Sequence, residues 1–170
     1  MAGPDATSPA RARRLALFAL VAAAVVALDQ LSKAAARSAL VPGEPVTLVP
    51  RVMDLSLVYN TGAAFSLGEG GGPVFVLLAA AILVAGAVVA WRRADVPLPL
   101  VLTVAAVAGG GAGNAIDRVA LGAVTDFFMT TFMDFAIFNV ADIFVTCGVI
   151  VALVLWWRWD AARERSAAGR

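Results

Sequence analysis

The chain has 170 residues, 61% of them hydrophobic and only 15% charged, which places it in the membrane class and leaves little polypeptide for a separate soluble domain. A formal net charge of +1 gives no sign of a nucleic-acid partner, and the single cysteine, Cys147, excludes an internal disulfide and a thiol metal cluster. The absence of histidine removes Ser-His triads, Cys-His dyads and imidazole-bound zinc, so hydrolytic chemistry in this chain falls to carboxylates, with no metal and no cofactor expected.

Residues 1–14 are rich in Pro, Ala and Arg and read as a disordered N-terminal tail. A bilayer core needs ~20 apolar residues per helix, and the first segment to qualify runs from about Leu15 to Ala36, apolar as far as Leu28. Arg11–Arg14 ahead of this run and Ala34–Ala36 after it also fit a cleavable secretory signal. The polar stretch Asp29-Gln-Leu-Ser-Lys33 argues against that, and so does the loss of one span, which would split the basic clusters across the membrane. The segment is therefore read as a helix.

Between the first and second spans, Val41–Gly72 is the largest stretch outside the membrane. Pro42-Gly43 and Pro45 mark a turn. From Val52 to Tyr59 the chain alternates, with Met53, Leu55, Leu57 and Tyr59 apolar and Asp54 and Ser56 between them, which predicts a half-buried strand paired with Pro45–Val49. Gly68–Gly72 is expected to be a flexible turn into the second span, Val74–Trp91. A short Arg92–Asp95 link makes the third span, about Val96–Ile116, its antiparallel neighbour. Leu121–Asn139 reads as an outer loop resting at the interface, followed by the fourth span, Val140–Trp157, and a C-terminal tail over residues 160–170. The membrane domain thus covers residues 15–159. The expected fold is all-α, four transmembrane helices with a small β-sheet outside the cytoplasm between the first two.

Arg11, Arg13 and Arg14, then Arg92 and Arg93, then Arg158, Arg163, Arg165 and Arg170 all fall on one side of a four-span chain. The positive-inside rule makes that side cytoplasmic and puts both termini there; Trp91, Trp156, Trp157 and Trp159 mark the same boundary.

Ionisable residues inside such a chain are costly, roughly 2.5–3.5 kcal/mol at a helix centre on insertion scales, and mark functional sites by default. Asp126 and Asp142 are the two that stand out. Asp29 and Lys33, at i and i+4, can pair, which by itself would only ease insertion of a helix end. Asn114, Asp117 and Arg118 share the outer end of the third span, where an Asp–Arg cap is the plain reading and a polar network directed inward is the alternative. Asn139 and Asp142, at i and i+3, suit a helix cap, although a cap alone leaves Asp126 unexplained. Asn60 closes the strand with a donor and an acceptor, and Gly109–Gly113 suggests tight helix packing.

Asp29-Gln-Leu-Ser-Lys33, Asn60-Thr-Gly-Ala-Ala-Phe-Ser66, Gly113-Asn-Ala-Ile-Asp-Arg118, Gly122-Ala-Val-Thr-Asp-Phe127 and Phe138-Asn-Val-Ala-Asp142 follow one another in that order. With four spans, this series closely resembles lipoprotein signal peptidase, also called signal peptidase II, over essentially the whole chain outside the tails. Met129–Ile137 carries no transferable motif. The resemblance implies an aspartyl endopeptidase of the bacterial cytoplasmic membrane with Asp126 and Asp142 as its catalytic dyad. It implies Asp29, Lys33, Asn60, Asn114, Arg118 and Asn139 as polar partners supporting the dyad or the substrate. The implied substrate is a prolipoprotein already carrying diacylglyceryl on the cysteine after its signal peptide, cut just before that cysteine. Membrane lipid is the other partner, and a monomer is expected.

Two carboxyls a few ångström apart can divide the work of base and acid, because repulsion and desolvation keep one protonated. Their titration belongs to the pair, and the sequence leaves the location of the proton open. A small proton or ion transporter using Asp29, Lys33, Asp117 and Asp142 is the alternative. It predicts polar residues through the full membrane depth, whereas the second span is wholly apolar. A non-catalytic scaffold would account for the glycines but not for the carboxyl pair.

Overall fold

A computed structural model describes residues 8–62 and 72–168. Four helices dominate: α1 (Ser8–Ala39), α2 (Gly72–Arg92), α3 (Leu98–Leu121) and α4 (Val140–Ala168). All four are long and apolar enough to cross a membrane. Leu20, Leu31, Leu77, Val84, Val119 and Leu153 point outward from them, as lipid-facing side chains do.

Two helices outrun their apolar stretches. The first begins at Ser8, so Arg11, Arg13 and Arg14 are helical and only residues 1–7 of the expected disordered tail lie outside the described residues. The fourth runs on to Ala168, through most of the expected C-terminal tail; its last two residues, 169–170, are not described. A helix satisfies its backbone groups internally in water as in lipid, and the Ala- and Arg-rich ends propagate it well. The expected turn at Gly68–Gly72 lies outside the described residues except for Gly72, the first residue of α2.

The third helix is central and packs against the other three. Its glycines permit that approach. A Cβ on Gly109 would meet the Ala22 carbonyl oxygen of α1 at 2.7 Å, and one on Gly110 would meet the Ala141 carbonyl oxygen of α4 at 2.7 Å. Both obstacles are backbone atoms, so side chains there would force helices apart. At the Arg-rich end of the bundle, Phe18, Ala90, Val96, Leu100, Val101, Ala105 and Ala108 form the core. Arg14 of α1 donates through Nη2 to the carbonyls of Val96 (2.7 Å) and Arg93 (3.2 Å), tying the first helix to the α2–α3 turn.

A three-stranded antiparallel sheet covers the opposite end, with β1 (Val46–Val49), β2 (Met53–Asn60) and β3 (Val124–Thr130) in that order. The β1–β2 pairing is as expected from the sequence. The third strand is a correction: it comes from the segment between α3 and α4 that reads in the sequence as an interfacial loop. The expected alternation of β2 is corrected as well. A register shift between Leu55 and Val58 leaves Ser56 and Leu57 both buried and Tyr59 exposed. Leu57 and Phe127 pack on Ala36 and Leu40 and seat the sheet on the end of α1.

Candidate active site

Along α1 the buried stripe reads Phe18, Ala22, Val25, Asp29, Lys33, Ala36 and Leu40, a regular helical face. Asp29 and Lys33 are therefore carried into the bundle by the same periodicity that buries their apolar neighbours. They pair at 2.9 Å with both side chains fully buried. Asp29 does more than ease insertion of a helix end: its Oδ1 accepts the backbone N–H of Ala141 in the first turn of α4 at 3.0 Å. A Cβ on Gly113 would collide with the Asp29 carboxylate, so that glycine keeps room for the contact.

The fourth helix starts with a reciprocal cap. Asp142 N–H donates to Asn139 Oδ1 at 3.1 Å, and Asn139 N–H donates back to Asp142 Oδ2 at 3.0 Å. The plain capping interpretation of this pair is thus correct, and it is compatible with a second role. The Asn139 side chain is fully buried and its Nδ2 donates to Asp126 Oδ1 at 2.7 Å and to Asn114 Oδ1 at 3.0 Å. Asn114 Nδ2 in turn donates to Asp142 Oδ1 at 2.8 Å, while its Oδ1 also accepts Lys33 Nζ at 2.7 Å. Two amides therefore bridge the two carboxyls, and one buried ammonium fixes which way the Asn114 amide points.

Asp126 lies on β3, reached from α3 through Gly122, which holds a left-handed φ of 73° and donates to the Arg118 carbonyl. Any other residue at that turn would be strained. Asp126 Oδ2 accepts Asn60 Nδ2 at 3.1 Å, and Asn60 Oδ1 accepts Gly62 N–H at 2.9 Å. Burial, and then the neighbouring Asp142, push the Asp126 carboxyl from 3.8 up to about 6; the amide donors of Asn60 and Asn139 act in the opposite direction.

Arg118 and Asp117 part company. Arg118 stacks over Phe75 with its guanidinium carbon 4.8 Å from the ring centroid, and donates through Nη2 to the Gly62 carbonyl at 2.8 Å. Asp117 faces the other way, toward Lys33 (3.7 Å) and Arg37 (3.8 Å) of α1. The expected Asp–Arg cap does not form, because adjacent helical residues point about 100° apart. Sequence reasoning misses Arg37, Gln30 and Thr125, although Gln30 and Thr125 fall within the quoted motifs. Arg37 lies one helical turn beyond Lys33, on the face that carries Asp29, and that i+4 spacing is the one signal that could have found it.

A cavity of about 550 Å³ opens on this network. Its polar end is formed by Asn60, Asn114, Arg118, Asp126 and Asp142, and its walls by Phe75, Leu78 and Ile82 of α2, Phe135–Phe138 before α4, and Ile143, Val145 and Cys147 of α4. A second, wholly apolar cavity of about 530 Å³ shares Ile82 and Val107 with it and continues between α2 and α4 to Trp156 and Trp159. The polar site thus stands at the head of an apolar trough.

Four spanning helices with a carboxyl pair at the head of such a trough define a multi-pass membrane enzyme. Residues 21–158 match the family described as Signal peptidase (SPase) II. The lipoprotein signal peptidase of Streptococcus pyogenes serotype M2 (strain MGAS10270) is 38% identical over 144 residues, 84% of this chain and 93% of that protein. The lipoprotein signal peptidase of Streptococcus thermophilus (strain CNRZ 1066) is 36% identical over 135 residues, covering 79% and 88%. A bacterial membrane enzyme solved by the in meso method at 2.3 Å superposes with a TM-score of 0.76 and 30% identity, covering 83% of this chain and 87% of that one. The chain belongs to the signal peptidase II family, and it is a multi-pass bacterial membrane protein with the peptidase activity of that family. Nothing in these relationships favours a transporter.

Proposed function

We propose that this protein is an aspartic endopeptidase that cuts diacylglyceryl-modified prolipoproteins just before the lipidated cysteine, with Asp126 and Asp142 as its catalytic dyad. The observation that carries the proposal is the pair of amides, Asn139 and Asn114, that link one carboxyl to the other by hydrogen bonds of 2.7–3.0 Å. Structural ion pairs put a carboxylate beside a cation. Here the hydrogen bonds to the two carboxyls come from neutral N–H donors that orient them, while Arg118 and Lys33 act through space.

In this reading the dyad holds one water between its members. Asp142, fixed by the Asn139 backbone and the Asn114 amide, takes a proton from the water. Asp126, whose carboxyl is pushed up to about 6, holds the shared proton and polarises the scissile carbonyl. Exclusion of solvent by the bound substrate acts in the same direction on Asp126. The water oxygen adds to the carbonyl carbon, and the tetrahedral intermediate then breaks its C–N bond as the leaving cysteine amine receives a proton from the dyad. Asn60 and Asn139 hold the Asp126 carboxyl, while Asn114 carries the position of Lys33 to Asp142. Asp29 fixes the start of α4 and is neutralised by Lys33. Arg118 holds the Gly62 carbonyl, two residues after Asn60, and lines the substrate cavity.

The cavity supports a preference for lipidated substrate. Its polar end suits the peptide bond and its apolar walls suit acyl chains, which pass from bilayer to cavity without meeting water. Arg11, Arg13, Arg14, Arg92, Arg93, Arg158, Arg163 and Arg165 belong to or adjoin the helix ends away from the dyad, which supports cytoplasmic termini and a site near the outer membrane face.

A purified enzyme in detergent or lipid should cleave a diacylglyceryl precursor at least tenfold faster than the same precursor without lipid. The check is product formation resolved by mass. Equal rates on the two substrates would overturn the lipid assignment even if the dyad stood.

A further inference from the structure

Asp126 projects from a strand whose outer edge is held on both sides of it. On one side the Thr125 N–H donates to Asp117 Oδ2 at 2.8 Å; on the other the Phe127 N–H donates to the Phe138 carbonyl at 3.0 Å. The Phe138 anchor leads straight into the Asn139 cap and so into Asp142. The Asp117 anchor leads to α3 and α1 and takes no part in the proposed chemistry. Asp117 is nonetheless a buried carboxylate with a full set of partners. Its Oδ1 accepts Gln30 Nε2 at 3.2 Å and faces Arg37 Nη1 at 3.8 Å, and its Oδ2 lies 3.7 Å from Lys33 Nζ. Arg37 also donates to Thr125 Oγ1 at 2.9 Å, and the Thr125 side chain is fully buried.

Backbone and side chain of the residue next to Asp126 are therefore gripped together, by an anion and a cation that are themselves neighbours. Charge-assisted hydrogen bonds are shorter and about twice as strong as neutral ones. Such strength has a use here. Asp126 pairs with Val58 at the edge of a register shift in the β2–β3 ladder, between Leu55 and Val58, so regular pairing continues from it only on the Thr125 side. A displacement of about 1 Å at a reacting group can lower a rate on the order of a hundredfold.

We infer that Asp117 and Arg37 are positioning residues that clamp Thr125 so that the Asp126 carboxyl meets Asp142 at the scissile bond, a role that rests on the dyad proposed above. Because the clamp acts on Asp126 through Thr125 and lines no part of the cavity, it sets turnover rather than substrate affinity.

The test compares Asp117→Ala, Asp117→Asn and Asp126→Asn with the wild type on a diacylglyceryl precursor, with rates expressed per folded enzyme. Asp117→Ala is expected to lower kcat at least tenfold with KM within about twofold, since the Thr125 N–H loses its acceptor. Asp117→Asn keeps an oxygen for that N–H and should recover most of kcat. A merely structural residue would reduce the yield of folded protein and leave kcat unchanged. The clamp is overturned if Asp117→Ala keeps its kcat, if KM alone changes, or if Asp117→Asn is as impaired as Asp117→Ala. Should Asp117→Ala fail to accumulate, Arg37→Met and Arg37→Lys carry the same comparison from the partly exposed end of the clamp. There a loss of kcat in Met that Lys partly restores supports the clamp, and wild-type kcat in Met overturns it. Cleavage by Asp126→Asn would overturn the dyad and with it the clamp. An inert Asp126→Asn beside unaffected Asp117 and Arg37 variants would overturn the clamp alone.

Discussion

Replacing Asp126 by Asn should abolish precursor cleavage and at the same time raise the thermal stability of the enzyme at neutral pH. The first effect removes the proton-carrying member of the pair, and losses of such members reach a factor of about a million when residues act as a unit. The second follows from linkage. The Asp126 carboxyl sits at 3.8 in a solvated chain and at about 6 in the fold. Between those values the unfolded chain gives up a proton that the folded protein keeps, so stability falls as pH rises through this window and the penalty persists above it. Below about pH 4 both states hold the proton and the penalty vanishes. Asparagine carries no such charge. The gain at pH 7 is at most ~3 kcal/mol, reduced by setting an amide against the Asn60 and Asn139 donors. Melting curves of the two proteins at pH 4 and pH 7 check this: the curves should separate at pH 7 and converge at pH 4. A variant less stable than wild type at pH 7 would contradict the assigned strain at Asp126.

Lys33→Met should have the largest effect on folding. The ammonium is fully buried, pairs with Asp29 at 2.9 Å, lies 3.7 Å from Asp117 and donates to Asn114 at 2.7 Å. Its loss strands the Asp29 carboxylate in the bundle, and breaking a buried pair from one side costs about 3–5 kcal/mol. A second change, Asp29→Asn, removes the stranded charge and keeps an oxygen for the Ala141 N–H. The double variant should therefore accumulate in the membrane better than Lys33→Met alone, as measured by the fraction extracted in folded form. Cleavage should stay low in both, because Asn114 has lost the donor that orients it. Equal accumulation of the single and double variants would show that the pair does not govern folding.

Much of this architecture is legible in the sequence for local reasons. Helix-length apolar runs locate four spans, and the cap of α4 is written in two residues three apart, Asn139 and Asp142. The β1–β2 hairpin likewise joins neighbouring segments. The third strand is of another kind. Val124–Thr130 is buried from Val124 to Phe127 without alternation, and its partner β2 lies more than 60 residues earlier in the chain, as the Asn60–Asp126 separation of 66 shows. Neither periodicity nor a turn signal announces such a pairing. The site divides the same way. Asp126, Asp142 and the asparagines belong to recognisable motifs, and they do converge. Arg37 belongs to none of the quoted motifs, and its role depends on α1 lying beside β3. Asp117 is visible in the sequence, but there its adjacent arginine offers itself as the partner. On a helix, position i+1 points elsewhere, and Asp117 reaches across to α1 instead.

Whether Asp126 and Asp142 act as one unit is measured most directly by single-turnover cleavage of a diacylglyceryl precursor by wild type, Asp126→Asn, Asp142→Asn and the double variant. If the carboxyls share one water and one proton, each single variant should lose as much rate as the double, with all three at the same residual level. Either single variant that retains substantial cleavage, or two partial losses that add in the double, would contradict it.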